Sequence, residues 1–249
     1  MKTVLVTGAT SGIGAACARA FSQAGWRVIV TGRRKDRLDA LVDALPNEAL
    51  ALSFDVADRA GVEAAFANLD SAWSTIDLLV NNAGLASGKE PMQETPVDKW
   101  VTMINTNVSG LLFVTAEVLP GMVERGSGHI INIGSIAGHQ TYAGGTVYCA
   151  TKAAVDRITQ GIRLDVIGTG VRVSTVDPGV VETEFNAVRF DGDEEKAKAV
   201  YNMLSRPLSA ADVADAVLWV ASRPEHVQIH DMLLTSTDQA SISSYANNR

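Results

Sequence analysis

Apolar residues fall in short, nearly unbroken runs, separated by stretches where they recur every three or four positions. Val4-Leu5-Val6 is the first run. Ile13, Ala16, Cys17, Ala20, Phe21 and Ala24 follow at helical spacing until Gly25 stops them. Val28-Ile29-Val30 predicts a second strand, and Asp36 to Leu45 a charged helix ending at Pro46. A third strand is expected over Ala49 to Phe54, a helix from Asp58 to about Trp73, and a fourth strand over Leu78-Leu79-Val80. A long helix should run from about Asp98 to Glu124, with Pro120 kinking or breaking it. Ile130 to Ile133 reads as strand, Thr146 to Ile167 as helix and Val171 to Val176 as strand. Asp193 to Leu204 and Ala210 to Ala221 look helical, and Met232-Leu233-Leu234 predicts a last strand.

This alternation predicts the α/β class: a doubly wound parallel sheet with helices on both faces, in three layers. Strands apolar at consecutive positions fit burial on both sides. No internal repeat, low-complexity tract or linker interrupts the chain, so residues 1–249 are expected to form a single domain. The most polar interruption, residues 180–208, reads as a substrate lid, because ligands bind beyond the carboxyl ends of such strands. The plainer alternative is a surface insertion.

Composition narrows the function. Hydrophobic residues make up 47% and charged residues 20%, ordinary for a globular protein. The net charge of -7 provides no footprint for nucleic acid or for an anionic membrane. No apolar stretch nears the roughly 18 residues of a membrane span. The strand pattern beginning at Thr3 leaves no room for a signal peptide. Cys17 and Cys149 build no disulfide framework, which points to a reducing, cytoplasmic setting. Cys17 falls on the apolar stripe of its helix. Cys149 borders Tyr148 but has no histidine or metal-ligand spacing around it, so neither a metal nor a reactive thiol is expected.

A glycine-rich loop carries the first candidate chemistry. Thr7-Gly8-Ala9-Thr10-Ser11-Gly12-Ile13-Gly14 stands between a strand and a helix, where glycines let the backbone approach a pyrophosphate. A tight turn is the alternative. The second strand runs out into Arg33-Arg34, where an NAD site would usually place an acid. Two arginines suit a ribose 2′-phosphate, so NADP is favoured over NAD; a solvated basic turn is the alternative. Asp55-Val56 follows the third strand, where the carboxylate could accept from an adenine amino group. Asn81-Asn82-Ala83-Gly84 closes the fourth strand, and its amides could hold that end and line a ribose.

Tyr148 and Lys152 stand at i and i+4 of a predicted helix and share a face. A phenol with a pKa of about 10 is a poor base at neutral pH. A cation about 4 Å away contributes on the order of 4 kcal/mol at an effective dielectric near 20. That is enough to lower the phenol by up to roughly three units. Tyr148 then becomes a general acid/base. Ser135, at the end of the fifth strand, could bond a substrate oxygen or merely cap an exit turn. Asn107 sits mid-helix, a weak place for asparagine, where it could anchor a water touching Lys152.

Taken together, these residues resemble the short-chain dehydrogenase/reductase family over nearly the whole chain. The resemblance rests on the Thr7 to Gly14 loop, Asn81 to Gly84, Asn107, Ser135, Tyr148, Lys152, and Pro178-Gly179 with Thr183. It implies a Rossmann-type sheet, a homotetramer, and cofactor binding by Gly8, Thr10, Ser11, Gly12, Ile13, Gly14, Asn82, Ala83 and Gly84. Tyr148 would move the proton, Ser135 hold the substrate oxygen, Lys152 bind the nicotinamide ribose, and Asn107 support a relay. Pro178, Gly179, Val181 and Thr183 would border the nicotinamide. More narrowly, Val123-Glu124-Arg125, Gly128 to Ser135, Tyr142 to Gly145 and Val188-Arg189-Phe190 resemble NADP-dependent 3-hydroxy acid dehydrogenases. That implies serine, allo-threonine or 3-hydroxypropionate as substrate, with sulfoacetaldehyde or another small aldehyde as an alternative. A non-catalytic NADP-binding regulator is a third class, which the full Ser135, Tyr148 and Lys152 set disfavours. Arg189, helped by Tyr142, is the candidate for a carboxylate or sulfonate, with a salt bridge as its plainer role. The tail from Thr235 to Arg249 departs from the 3-hydroxy acid pattern.

Overall fold

The computed structural model describes residues 1–246, and the last three residues of the tail lie outside it. Its strands are β1 (Thr3–Val6), β2 (Arg27–Gly32), β3 (Ala49–Ser53), β4 (Leu78–Asn81), β5 (Gly128–Ile133), β6 (Val171–Pro178), β7 (Val181–Glu182), β8 (Leu208–Ser209), β9 (Asp231–Leu234), β10 (Gln239–Ser241) and β11 (Ser244–Tyr245). Seven of these form one sheet in the order β3-β2-β1-β4-β5-β6-β9, every pairing parallel. The strand order reverses between β1 and β4. The strand ends diverge there, and a cleft opens above the switch point.

Helices α1 (Gly12–Gln23), α2 (Lys35–Asp43) and α10 (Ala210–Ala221) cover one face. Helices α3 (Arg59–Ala67), α5 (Gly110–Glu124) and α7 (Thr146–Asp165) cover the other. The two-residue period of β1 sorts its side chains: Val4 and Val6 enter the first layer, Leu5 the second. Each such side chain contributes about 1.5–3 kcal/mol when fully buried. This rigid, doubly covered sheet holds the loops at its carboxyl edge.

The run expected as one helix from Asp98 to Glu124 has a defect in it. Helix α4 (Val97–Ile104) passes into a π-helical turn over Asn105–Ser109 before α5 resumes. The extra residue swings Asn107 inward, where it is buried. Gly110 lies so close to Val56 that an added Cβ would sit 2.8 Å from Val56 Cγ2. Pro120 stands inside α5 without ending it. Contrary to the expectation of no span-length apolar stretch, Val97–Glu124 has an 18-residue window of mean hydropathy 1.3. Length and composition alone fit a membrane span, but Met103, Leu111, Val114, Val118 and Met122 pack into the fold. Helix α3 also ends short of its expected limit, at Ala67. A 3-10 turn over Ser71–Trp73 replaces its last turns, with Asp70 accepting from the Ala72 amide. Residues 180–208 fold as β7, α8 (Phe185–Arg189), α9 (Glu194–Tyr201) and β8, with β7 and β8 paired in parallel. The remaining helix, α6 (Ile136–His139), directly follows Ser135.

Candidate active site

One cleft of about 590 Å³ crosses the carboxyl edge of the sheet. Of the residues given catalytic, cofactor or substrate roles from sequence, all but Gly14 and Asn107 line it, while Thr7, Ala9 and Asn81 lie behind its wall. At one end the β1–α1 loop turns under a backbone with Gly8 at φ +65°, where a side chain would also run into Ala83. Gly14 lies beneath, where a Cβ would sit 2.5 Å from Asn82 Nδ2. It lets helix and strand end approach. Asn82 Nδ2 donates to the Thr7 and Gly8 carbonyls at 2.8 and 3.2 Å, so it braces the loop rather than merely turning the chain. Asn81 lies deeper and donates to Thr115 Oγ1 and Asn132 Oδ1. Ser11 stands at the N-cap of α1 yet gives it no side-chain cap. The first-turn amides therefore lack a side-chain acceptor, and with the helix dipole they suit an anionic group.

Arg34 reaches over this loop. Its guanidinium donates to Thr10 Oγ1 at 2.5 and 3.1 Å and to Ser11 Oγ at 3.1 Å, and pairs with Glu184 at 3.3 Å. Arg37 meets the same Glu184 at 2.9 Å; burial pushes that carboxyl up, but Arg37 and Arg34 together outweigh it and hold it below its ordinary range. Arg33 lies 3.6 Å from Asp55, whose other oxygen accepts from the Ala57 amide. These exposed pairs are worth at most about 1 kcal/mol each. A phosphate dianion taking forked bonds would displace them, so the residues present fit a dinucleotide carrying a 2′-phosphate.

At the other end, α7 presents Tyr148 and Lys152, both lining the cleft. Ser135 is the N-cap of α6. Its Oγ accepts from the Ala137 amide at 3.1 Å while the residue lines the cleft, so capping and site roles coincide. Lys152 is buried and donates to the Ile133 carbonyl at 2.8 Å. Burial pulls its pKa down to about 8, against an upward pull from Asp177. The expected depression of the phenol is not found. Burial pushes Tyr148 well above the usual range for tyrosine, Tyr142 adds to this, and Ser135 and Arg189 only partly oppose it. Desolvation of a phenolate outweighs the neighbouring charge here. Asn107 stays outside the cleft wall. Its side chain closes a ring with Leu85, accepting from the amide and donating to the carbonyl, both at 2.8 Å, and donates to Thr151 Oγ1 on α7 at 3.0 Å. It thereby ties the β4 exit to the helix carrying Tyr148. Behind Ser135, His139 Nε2 lies 3.0 Å from Asp177 Oδ2 and fastens α6 to β6.

Arg189, at the end of α8, is buried beside Tyr142, with its guanidinium 5.3 Å from that ring. Its Nε donates to the Gly88 carbonyl at 2.9 Å, while neither Nη2 nor the buried Tyr142 Oη, on which the Arg189 charge acts, has an acid partner among the described residues. No salt bridge takes up the guanidinium among the described residues. Phe185, also on α8, packs against Tyr148 with ring centroids 5.8 Å apart.

A family model for the short chain dehydrogenases matches residues 2–194. The chain belongs to this family. It is 50% identical over 238 residues to an NADP-dependent 3-hydroxy acid dehydrogenase of Salmonella typhi, covering 95% of this chain and 96% of that one. It is 44% identical to a serine 3-dehydrogenase of Rhizobium radiobacter, over 96% of this chain and 95% of the relative. Among solved structures, the closed form of a serine dehydrogenase complexed with NADP+ superposes with a TM-score of 0.93 at 49% identity, covering 96% of each chain. An Escherichia coli serine dehydrogenase matches with a TM-score of 0.84 at 45% identity, over 96% of this chain and 99% of that one.

Within this short-chain dehydrogenase, the cleft also takes in residues the sequence did not single out. Lys89 and Phe185 line it, and so do Gln239, Ile242, Ser243 and Tyr245 from the tail. Gln239 is held inside, its Oε1 accepting from the Val180 amide at 2.9 Å. No spacing rule marks these positions. The one signal was the departure of the tail from the expected pattern, and those residues close the wall beside Gly179.

Proposed function

We propose that this short-chain dehydrogenase uses NADP to interconvert a small 3-hydroxy acid and its 3-oxo acid or semialdehyde. The observation that carries this reading is Arg189: a buried arginine that lines the cleft shared by Tyr148 and Ser135 and has no acid partner among the described residues. A buried cation without a counter-charge is costly, and a substrate carboxylate would supply the missing partner. The NADP-dependent 3-hydroxy acid and serine dehydrogenases to which the chain is similar support the same reading.

Bound NADP supplies a hydride acceptor at its nicotinamide, and NADPH the donor in reverse. The Thr7 to Gly14 loop would hold the pyrophosphate, Arg33 and Arg34 the 2′-phosphate, and Asp55 and Val56 the adenine. Asn82, Ala83, Gly84, Pro178, Gly179, Val181 and Thr183 would line the rest. In reduction, the neutral Tyr148 phenol, the form its burial favours, gives its proton to the carbonyl oxygen as the carbon gains hydride, and oxidation runs the same transfer in reverse. Ser135 Oγ bonds the same oxygen and keeps it beside the phenol. Lys152, protonated below about pH 8, would hold a ribose hydroxyl of the cofactor beside the phenol. Asn107 positions the turn that links these groups. Residues 180–208 serve as a lid, with Phe185 closing over Tyr148 and Arg189 locking onto Gly88.

The exposed stripe Val97, Val101, Ile104 and Leu112 along α4 and α5 favours a homotetramer built by copies of this chain. A cytoplasmic setting follows from the use of NADP and from two free thiols.

The test is a substrate panel: NADPH oxidation with malonic semialdehyde, sulfoacetaldehyde and propanal, and NADP reduction with 3-hydroxypropionate, L-serine and L-allo-threonine. The carboxylates should lead in kcat/KM. A preference for propanal would refute the acid reading, and tight NADPH binding without any turnover would refute the enzyme.

A further inference from the structure

The substrate end of the cleft holds a second cation. Lys89 sits on the loop between β4 and α4, next to Gly88, which Arg189 binds twice. The Arg189 Nε donates to the Gly88 carbonyl, and the Gly88 amide donates to the Arg189 carbonyl, each at 2.9 Å. The stem of Lys89 is placed by the loop ahead of α7. Its carbonyl lies so close to Gly144 that no side chain fits there, and Lys89 Cγ lies 3.2 Å from where a Gly144 Cβ would be. Its amide donates to Glu90 Oε2 at 3.0 Å, which fixes the backbone, while the ammonium makes no ion pair among the described residues. Both side chains line the cleft, and burial, with the Arg189 cation adding to it, pulls the Lys89 pKa below the ordinary lysine range.

The acids that line the cleft are Asp55 and Glu184, and both are engaged by arginines at the cofactor end, Asp55 by Arg33 and Glu184 by Arg34 and Arg37. The other cations that line the cleft are Lys152, which donates to the Ile133 carbonyl, and Arg189 and Lys89, and no further carboxylate lines it. We propose that Lys89 and Arg189 form a two-cation subsite that binds the acid group of the substrate and disfavours an α-ammonium beside it. The inference rests on the 3-hydroxy acid reading and sharpens it. Two cations attract a plain carboxylate and repel an ammonium, and the nearby Glu90 carboxylate, turned to the Lys89 amide, does not line the cleft to offset that repulsion. A 3-hydroxy acid without an amino group therefore outcompetes serine, although serine dehydrogenases are among the similar proteins.

The experiment compares kcat/KM for 3-hydroxypropionate, L-serine and propan-1-ol in the full-length wild type, Lys89→Met and Lys89→Glu, at low and high ionic strength. The wild type should prefer 3-hydroxypropionate to both others. Lys89→Met should lower the 3-hydroxypropionate to propan-1-ol ratio by roughly three- to tenfold, mainly through KM, as expected for one screened charge. Lys89→Glu should move the 3-hydroxypropionate to serine ratio at least about tenfold toward serine, and salt should shrink the difference. A structural effect alone would change the three substrates together and would not respond to salt. A wild type that prefers an acid but whose ratios survive both substitutions overturns the Lys89 assignment alone. A wild type with no preference for either acid over the alcohol overturns the acid reading and the subsite with it.

Discussion

Replacing Arg189 by methionine keeps most of the stem and removes the guanidinium. Arg189 does two jobs in the structure, and the variant separates them. Its Nε holds the Gly88 carbonyl at 2.9 Å, a lid fastening worth about 1 kcal/mol. That loss falls on every substrate equally. Arg189 also lines the cleft with its charge unmatched by an acid among the described residues, and a hydrogen bond from a charged donor is worth about 1.5–3 kcal/mol. At about 1.4 kcal/mol per decade, kcat/KM for an acid should fall some 10- to 150-fold beyond the shared loss.

The assay is the ratio of kcat/KM for malonic semialdehyde to that for propanal, in wild type and Arg189→Met, with Tm measured in parallel. The expected result is a ratio that collapses by one to two decades, by the same arithmetic. Tm should change little, because losing one hydrogen bond is offset by relief from a buried, unpaired cation. An unchanged ratio with equal loss on both substrates would refute the clamp and leave Arg189 as a fastening of α8. A large fall in Tm would say the same.

Tyr148→Phe should reduce turnover by about 10²–10⁴, the usual worth of a general acid/base, while NADPH fluorescence titration shows nearly unchanged affinity. Retained turnover would remove the tyrosine from the chemistry. Arg33→Ala with Arg34→Ala should raise the NADP Michaelis constant far more than the NAD one, by roughly 10-fold or more for the lost charge-assisted bonds. An equal rise for both would dismiss the 2′-phosphate site. Lys152 has a pKa of about 8 in the fold, below its unfolded value, so its protonated form is penalised below about pH 8. That penalty on stability lifts as pH rises from about 8 to about 10.4. Activity should move the opposite way, with kcat/KM falling above about pH 8 as the ammonium is lost. A flat alkaline profile, read after checking that Tm holds, would rule out the need for the charge.

Regular elements were legible because their signals are local. The β1 to β6 runs are apolar at successive positions, and the helix pattern between them leaves few ways to wind the sheet. Single residues with dense chemistry, such as Ser135, Tyr148 and Lys152, were legible because type and spacing limit what they do. The π turn at Asn105–Ser109 was not. Its cause is a long-range contact, with Asn107 closing on Leu85 and Thr151, and no hydrophobic period announces an extra residue. The phenol pKa went wrong for a related reason. Spacing reports a nearby cation, but desolvation depends on the whole enclosing wall, including Phe185 from the distant α8. Lys89 and the tail residues around Tyr245 were missed because a loop lysine and a polar tail look solvated until the fold places them against Gly144 and Gly179.

The charges also divide the labour in the cleft. The protein carries a net charge of -7, so its overall field opposes the approach of an acid. At physiological salt that field is screened within about 8 Å, and the near charges decide binding. At the cofactor end each cation is already matched by an acid, Arg33 by Asp55 and Arg34 by Glu184. Binding a phosphate there exchanges one partner for a stronger one. At the substrate end, Lys89 and Arg189 form no ion pair among the described residues, so an incoming carboxylate brings a counter-charge that the cleft wall there lacks. That difference makes acid recognition a property of the substrate end alone. It also requires that the acid-to-alcohol preference respond to Lys89 and Arg189 and not to Arg33 or Arg34. Loss of that preference in the Arg33→Ala, Arg34→Ala variant would show the two ends to be one electrostatic unit and would overturn the division.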